Sequence, residues 1–319
     1  MRCATILAGV VFGAVLAAAQ DCDRACLTGI VDQYLAGMVA HDASKAPFSP
    51  SVKFTENTVK LPLTEGLWFT ATGLTDYKIY IADPQGGAVG FIGVVKEHNA
   101  PPNPERAAIL ALRLRVFQKR ITEAESVVVR NVGAGNLANL TTPRPGIMQT
   151  LAANERVPRA ELIRATNAYF DGIEQLTGTI VPFHEDCNRL ENGMRTAGPP
   201  LPGAAAAAKG KAKGGPGGGV QRCVDGFNSG VFAVITAVQP RRILVVDEEK
   251  GLTFGVFMFQ HRGLATVQGK DRETHPAAYF AGQPVTMPMA EMFKMVGGKI
   301  RDVEAIGMQL PYGAPTGWE

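Results

Sequence analysis

The sequence predicts an α+β protein built as two tandem units, each opening on a helix and continuing into an antiparallel sheet. Two observations predict it: the chain repeats itself in order, and each repeat passes from helical apolar spacing to strand-like runs. Tyr34, Leu35, Ala36 and Gly37 return as Tyr169, Phe170, Asp171 and Gly172, a step of 135 (169 − 34). The same step carries Pro47 and Phe48 onto Pro182 and Phe183, and Glu56 and Asn57 onto Glu191 and Asn192. The step then becomes 164, from Gly66-Leu67-Trp68 to Gly230-Val231-Phe232 and from Asp83 to Asp247. Near the end of each repeat it is 179, laying residues 120–125 on residues 299–304. Six matches in one order with two changes of length read as a duplication, and 319 residues are enough for two ordinary cores.

The elements follow in chain order. Leu27, Ile30, Val31, Tyr34, Leu35 and Met38 fall on one face of a first helix. Leu162, Ile163, Thr166, Tyr169, Phe170 and Ile173 do the same in the second unit, with Pro158 suited to the entry turn. Each helix is followed by a polar stretch and the Pro-Phe pair. Residues 89–95 and 108–116 are rich in branched and aromatic side chains and read as strands; 118–120 is a turn, and 121–129 returns as the next strand. The second unit repeats this with 254–260, 291–295, a turn at 297–299, and 300–308.

These elements divide the chain into a leader (1–19), a first unit (20–141), a linker (142–157) carrying Pro143, Pro145 and Gly146, and a second unit (158–319). Near 195–220 the second unit carries an insertion of prolines, five alanines and alternating Lys and Gly, a composition that cannot bury a core. A second insertion of about fifteen residues (179 − 164) falls near 261–285.

Composition narrows the class. The net charge is +3, and +2 without Arg2, which gives no reason to expect nucleic acid. Residues 1–20 hold one Arg, an uncharged apolar stretch and the small residues Ala17, Ala18 and Ala19, the layout of a secretory signal peptide. The run is too short and Ala-rich for a membrane span, and Asp21 before Cys22 argues against a bacterial lipid anchor. The expectation is a secreted, extracellular protein with no membrane association after leader removal. Four cysteines remain beyond the leader. The most economical pairing is Cys22 with Cys26 as a local clip and Cys187 with Cys223 across the insertion. Closing that second loop stabilises by roughly 3–4 kcal/mol in the chain-entropy picture. No cysteine pair has the knuckle spacing of a zinc site, and neither a metal nor a cofactor is expected. Asn139, in Asn-Leu-Thr, is a glycosylation sequon.

One amphipathic helix, several strands and a closing hairpin written as apolar strand, Gly297-Gly298-Lys299-Ile300, then strand, resembles the nuclear-transport-factor-2-like superfamily. Its members include ketosteroid isomerases, scytalone dehydratases and small polyketide cyclases of the SnoaL-like type. The resemblance implies two cone-shaped units, each a curved antiparallel sheet wrapped around N-terminal helices, with an apolar pocket at the wide end. The run CDRACL, then FTEN, GLW and the ending PYG-x-P-x-GW also resemble a group of exported two-unit proteins from fungi and bacteria.

Glu56 lies where ketosteroid isomerases carry a carboxylate general base, and a carboxylate in an apolar cone has its pKa raised toward neutrality. The expected catalytic set is Glu56 with Tyr34, Asn57 and His98 steadying an oxyanion, the first unit being the favoured one. Expected pocket residues are Phe54, Trp68, Tyr169, Glu191, Asn192 and Phe232. The competing reading of Glu56-Asn57 and Glu191-Asn192 is structural: hydrogen bonds tying each strand to a neighbouring segment. His184, Glu185 and Asp186 offer metal-ligand types without a helix-face or knuckle spacing. No phosphate loop or nucleophile elbow occurs. The functional expectation is a lyase, dehydratase or isomerase acting on a hydroxylated aromatic or polyketide-like compound. The alternative is a non-catalytic secreted small-molecule-binding or structural protein. The oligomeric state is left open.

Overall fold

A computed structural model describes residues 22–198, 222–268, 273–277 and 279–319. The expected leader and the insertion from residue 199 on lie outside the described residues. The first unit starts with α1 (Arg24–Val39), whose N-cap Asp23 accepts from the Cys26 backbone N–H. Its buried face is the one the spacing predicts, from Leu27 to Met38. Then come β1 (Phe48–Glu56), β2 (Val59–Lys60), α2 (Leu67–Thr70), β3 (Ala71–Asp83), β4 (Ala88–His98), β5 (Glu105–Phe117) and β6 (Arg120–Val129). They form a sheet of order β2-β1-β6-β5-β4-β3.

A short α3 (Ala134–Leu137) leads on to α4 (Arg159–Glu174), which opens the second unit. It continues with β7 (Phe183–Glu191), β8 (Met194–Ala197), α5 (Cys223–Asn228), β9 (Ala237–Asp247) and β10 (Leu252–His261). A small hairpin of β11 (Thr266–Gln268) and β12 (Thr274–Pro276) precedes β13 (Val285–Val296), β14 (Lys299–Gly307) and β15 (Leu310–Pro311). The main order is β8-β7-β14-β13-β10-β9, the first sheet's order repeated, with β15 added against β13. The fold is α+β with curved sheets, as expected. The sheets are not wholly antiparallel: β1 runs parallel to β6 and β7 parallel to β14. Each first strand, second from the edge, joins the last long strand of its sheet, so its direction there is not set by a hairpin.

Three apolar clusters account for the strand composition. One lies between α1 and the inner face of the first sheet, and one between α4 and the inner face of the second. The third joins the outer faces, setting Ile79, Ile81, Ile92 and Ile109 against Phe254, Val256, Met292 and Ile306. Because both faces of β4 and β10 are covered, these strands are apolar almost without alternation. The segment between units is wedged into this contact: Arg144 and Ile147 are buried, and Arg144 pairs with Asp302 and Glu304. The chain end crosses back to the first unit, where Trp318 Nε1 donates to Thr55 Oγ1 at 3.1 Å under Lys53.

Both cysteine pairs are bridged, Cys22–Cys26 at the start of α1 and Cys187–Cys223 tying β7 to α5. Among the described residues, no helix is long and apolar enough to cross a membrane.

Candidate functional site

In the first unit the expected site residues are engaged with the protein itself. Tyr34 is buried in edge-to-face contact with Trp68 (5.2 Å between ring centroids) and Phe48 (5.9 Å), and burial raises its hydroxyl pKa. Phe54, Phe91, Leu110, Leu112 and Leu114 complete this interior. Glu56 is 6 % exposed, but it does not face an apolar hollow. Its Oε2 accepts from the Leu67 N–H at 2.7 Å, capping α2, and its Oε1 accepts from Arg130 at 3.1 Å. Gly66 makes room for that carboxylate, because a Cβ there would stand 2.5 Å from Oε2. Arg130 also binds Glu97, which is fully buried and receives further hydrogen bonds from Thr70 and Arg106. Burial alone would raise the Glu97 carboxyl; the donors Thr70, Arg130 and Arg106 hold it below its ordinary value.

Asn57 and His98 do not face the hollow either. Asn57 has φ +52° and acts as an extra rung of the sheet, exchanging side-chain bonds with the backbone of Val128 at 2.8 and 3.3 Å. Asn192 copies it: φ +47°, with side-chain bonds to the Gly307 N–H and C=O at 3.0 and 2.9 Å. Both asparagines thus tie the end of the first strand to the last long strand of the sheet. His98 is exposed at the end of β4, on the opposite face from Phe91 and Glu97.

The second unit carries polar groups where the first is apolar. Register fixes the equivalences. Phe54 pairs with Ala124 as Arg189 pairs with Val303, and Phe91 pairs with Leu112 as Gly255 pairs with Glu291. Arg189 therefore stands for Phe54 and Glu291 for Leu112. Arg189, buried, donates from Nε to the Tyr169 hydroxyl at 2.7 Å and from Nη1 to Glu191 and Thr196, both at 2.8 Å. Because the Tyr169 oxygen accepts from Arg189, its own proton remains to donate elsewhere.

Glu291 lies on β13, on the face that carries Met289 and Phe293 toward α4. It is 0 % exposed, and among the described residues neither carboxyl oxygen receives a hydrogen bond. Burial pushes its pKa up to about 8, opposed by Arg189 and assisted by Glu191. It shares a row with Ala305 and Glu191 across β13, β14 and β7. Nearer the end of β10, His261 is buried, its Nδ1 has no hydrogen-bond partner among the described residues, and burial takes its pKa down to about 4. Tyr279 and Phe280, from the insertion before β13, lie against its ring at 5.9 and 4.9 Å.

The expected pocket residues thus separate. Tyr169 and Glu191 belong to this cluster, Asn192 is a sheet rung, and Phe232 stacks on Phe227. Sequence reasoning missed Arg189 and Glu291 altogether. A signal existed: Glu291 interrupts the apolar run 287–293, and the step of 179 sets it on Leu112. An open cleft of about 700 Å³ beside the Cys187–Cys223 bridge is lined by Thr179, Glu185, Arg222 and Lys299, which lie at the surface. Among the described residues no group of His, Cys, Asp and Glu could hold a metal ion. Asn139, partly buried, donates its side-chain N–H to the Gly193 carbonyl at 2.9 Å.

A family described as a domain of unknown function (DUF8021) matches residues 155–307, which hold the second unit's cluster. No curated protein matches the chain. Solved structures similar to parts of it include AclR from Streptomyces galilaeus (14 % identity, 34 % of this chain and 82 % of that one, TM-score 0.30). Another is a protein with a ketosteroid isomerase-like fold from Catenulispora acidiphila, in complex with trimethylamine (17 %, 30 % and 82 %, TM-score 0.25). A third is an NTF2-like protein from Burkholderia thailandensis (17 %, 31 % and 88 %, TM-score 0.26).

Proposed function

We propose that the chain is an exported tandem protein whose second unit binds a small, largely apolar hydroxylated or carbonyl-bearing compound and moves a proton on it, as an isomerase or lyase. Glu291 carries the reading. A carboxyl with no exposed surface and no hydrogen bond costs several kcal/mol of desolvation unless something compensates it, and a ligand with a polar group is such a partner. Its pKa of about 8 suits a group that takes a proton and returns it near neutral pH.

The chemistry follows from the neighbours. Ionised Glu291 removes a proton from a carbon beside a carbonyl, and the Tyr169 hydroxyl, oriented by Arg189, donates to the oxygen as it gains charge. Returning the proton to a second carbon completes an isomerisation; loss of a neighbouring hydroxyl as water completes a dehydration. Aromatic rings around Tyr169 favour a flat apolar ligand. The first unit is a structural partner in this reading, because it carries Phe54 and Leu112 where the second carries Arg189 and Glu291. The two disulfides support export, and Asn139 as a glycosylation site requires giving up its bond to Gly193.

The test is recovery of a bound compound from full-length protein by mass spectrometry, then turnover of that class against pH. Turnover rising with an apparent pKa near 8, and lost in Glu291→Gln, supports the reading. A Glu291→Gln protein that binds and turns over normally overturns it.

A further inference from the structure

Between the units lies a set of contacts that repeats with its partners exchanged. Arg24, at the start of α1, forms a two-pronged pair with Asp247 of the second unit at 2.6 and 2.7 Å. Arg159, at the start of α4, forms the same pair with Asp83 of the first unit at 2.9 and 2.8 Å. The arginines differ by the step of 135 and the aspartates by 164, the steps that relate the repeats. The agreement extends to the backbone. Asp247 accepts from the Ala82 N–H at 3.3 Å and Asp83 from the Val246 N–H at 3.0 Å, and 246 − 82 is again 164. Each aspartate also caps its own turn, Asp83 from Gly86 N–H and Asp247 from Lys250 N–H. Both aspartates are 1 % exposed while their arginines reach the surface, so these are partly buried, charge-assisted contacts.

Interchange of partners under one operation is the mark of a two-fold, isologous interface, in which one patch meets its own copy. Here each unit holds both halves of the pair: Arg159 and Asp247 both belong to the second. A further tie crosses the contact without such an exchange. Arg242 of the second unit pairs with the buried Glu125 of the first, and the counterpart of Glu125 by the step of 179 is Glu304, in the second unit itself. Two copies of the second unit, back to back, would therefore find Arg159 facing Asp247, while Glu304 already pairs with Arg144. The apolar centre between the sheets is drawn from equivalent strands, with Phe254 seated over Gly90, its counterpart by the step of 164, so that two second units would bring their Phe254 rings together.

We infer that the outer face of the second unit is self-complementary, fitting a second copy of itself as well as the first unit, so that the faces rather than the connecting chain hold the pair together. The test keeps the full chain, with a protease site inserted at the exposed Gly133 and cut after folding. The halves are expected to co-elute at micromolar concentration. Arg159→Asp or Asp83→Arg alone is expected to weaken their association by about 10- to 100-fold, and the two together to restore most of it. Where the reversals do not fold, Arg159→Gln and Asp83→Asn close the same cycle. Native mass spectrometry of the cut protein, held in mild denaturant and returned to buffer, is expected to show pairs of the second unit. Halves that separate without denaturant, reversals that do not compensate, or only mixed pairs after exchange would each overturn the inference.

Discussion

At the position where the first unit carries Leu112, the second carries Glu291, and where the first carries Phe54, the second carries Arg189. The two interiors share strand order, register and the asparagine rung after the first strand, and they differ in what fills them. The polar groups of the first unit are gathered at one end, where Glu56, Glu97, Arg106 and Arg130 satisfy one another. In the second, charge reaches the middle of the sheet and the Glu291 carboxyl has no hydrogen-bond partner among the described residues. Glu56 and Glu191 show the divergence most plainly: one caps a helix of its own unit, the other pairs with an arginine two residues away on its own strand. Equivalent backbone positions therefore do not imply equivalent chemistry. Fold is held by many distributed contacts, whereas a site depends on a few side chains.

The comparison can be broken at its most sensitive point. Glu291→Gln should lower turnover of the recovered compound by at least about 100-fold, with binding reduced far less. The same variant reports on stability. The folded carboxyl titrates near 8, above its ordinary value of 4.5, so its contribution to stability is full below 4.5 and lost as pH rises through 8. Wild type should therefore lose melting temperature between pH 6 and pH 9 relative to Glu291→Gln. Parallel melting curves would remove the raised carboxyl from the account.

Placing the second unit's chemistry in the first is the next largest change. Leu112→Glu puts a carboxyl into an apolar interior with no arginine at position 54, and should cost about 3–5 kcal/mol at pH 7 by urea unfolding. The reverse exchange, Arg189→Phe with Glu291→Leu, should be neutral or stabilising by about 1–4 kcal/mol while abolishing ligand binding. Equal losses in both directions would mean that the second interior needs its charges for folding.

Smaller effects sharpen the picture. Arg130→Met leaves Glu56 and Glu97 short of a donor and should cost about 1–3 kcal/mol, with no change in turnover. Asn57→Ala and Asn192→Ala remove the same rung from the two sheets and should each cost about 1–2 kcal/mol. Costs that differ by more than a factor of two would show that the rungs are not equivalent, and either variant losing turnover without losing stability would return the asparagines to a site.

Much of this was legible in the residues. The helix faces from Leu27 to Met38 and from Leu162 to Ile173, the strand runs and the cysteine pairing depend on local periodicity or on few alternatives. The recurrence of Glu-Asn was also visible, as was the choice between a site and a hydrogen-bonded tie. What each glutamate touches was not. Whether Glu56 meets a helix N–H or a hollow depends on where the 61–66 loop places Leu67, and no spacing rule encodes that. The surroundings of His261 escape spacing rules too, because its aromatic neighbours come from an insertion with no counterpart in the first unit.

By itself, the order of residues determined two helix-plus-sheet units with matching parts, since helical and strand periods act over a few neighbours and repeat wherever the pattern repeats. The tertiary structure decided which unit holds an unmatched acid. Arg189 and Glu291 stand 102 positions apart (291 − 189) and come onto one inner face only through the pairing of β7 with β14 and of β14 with β13. Desolvation and charge then act on neighbours in space, and those are set by register across the sheet.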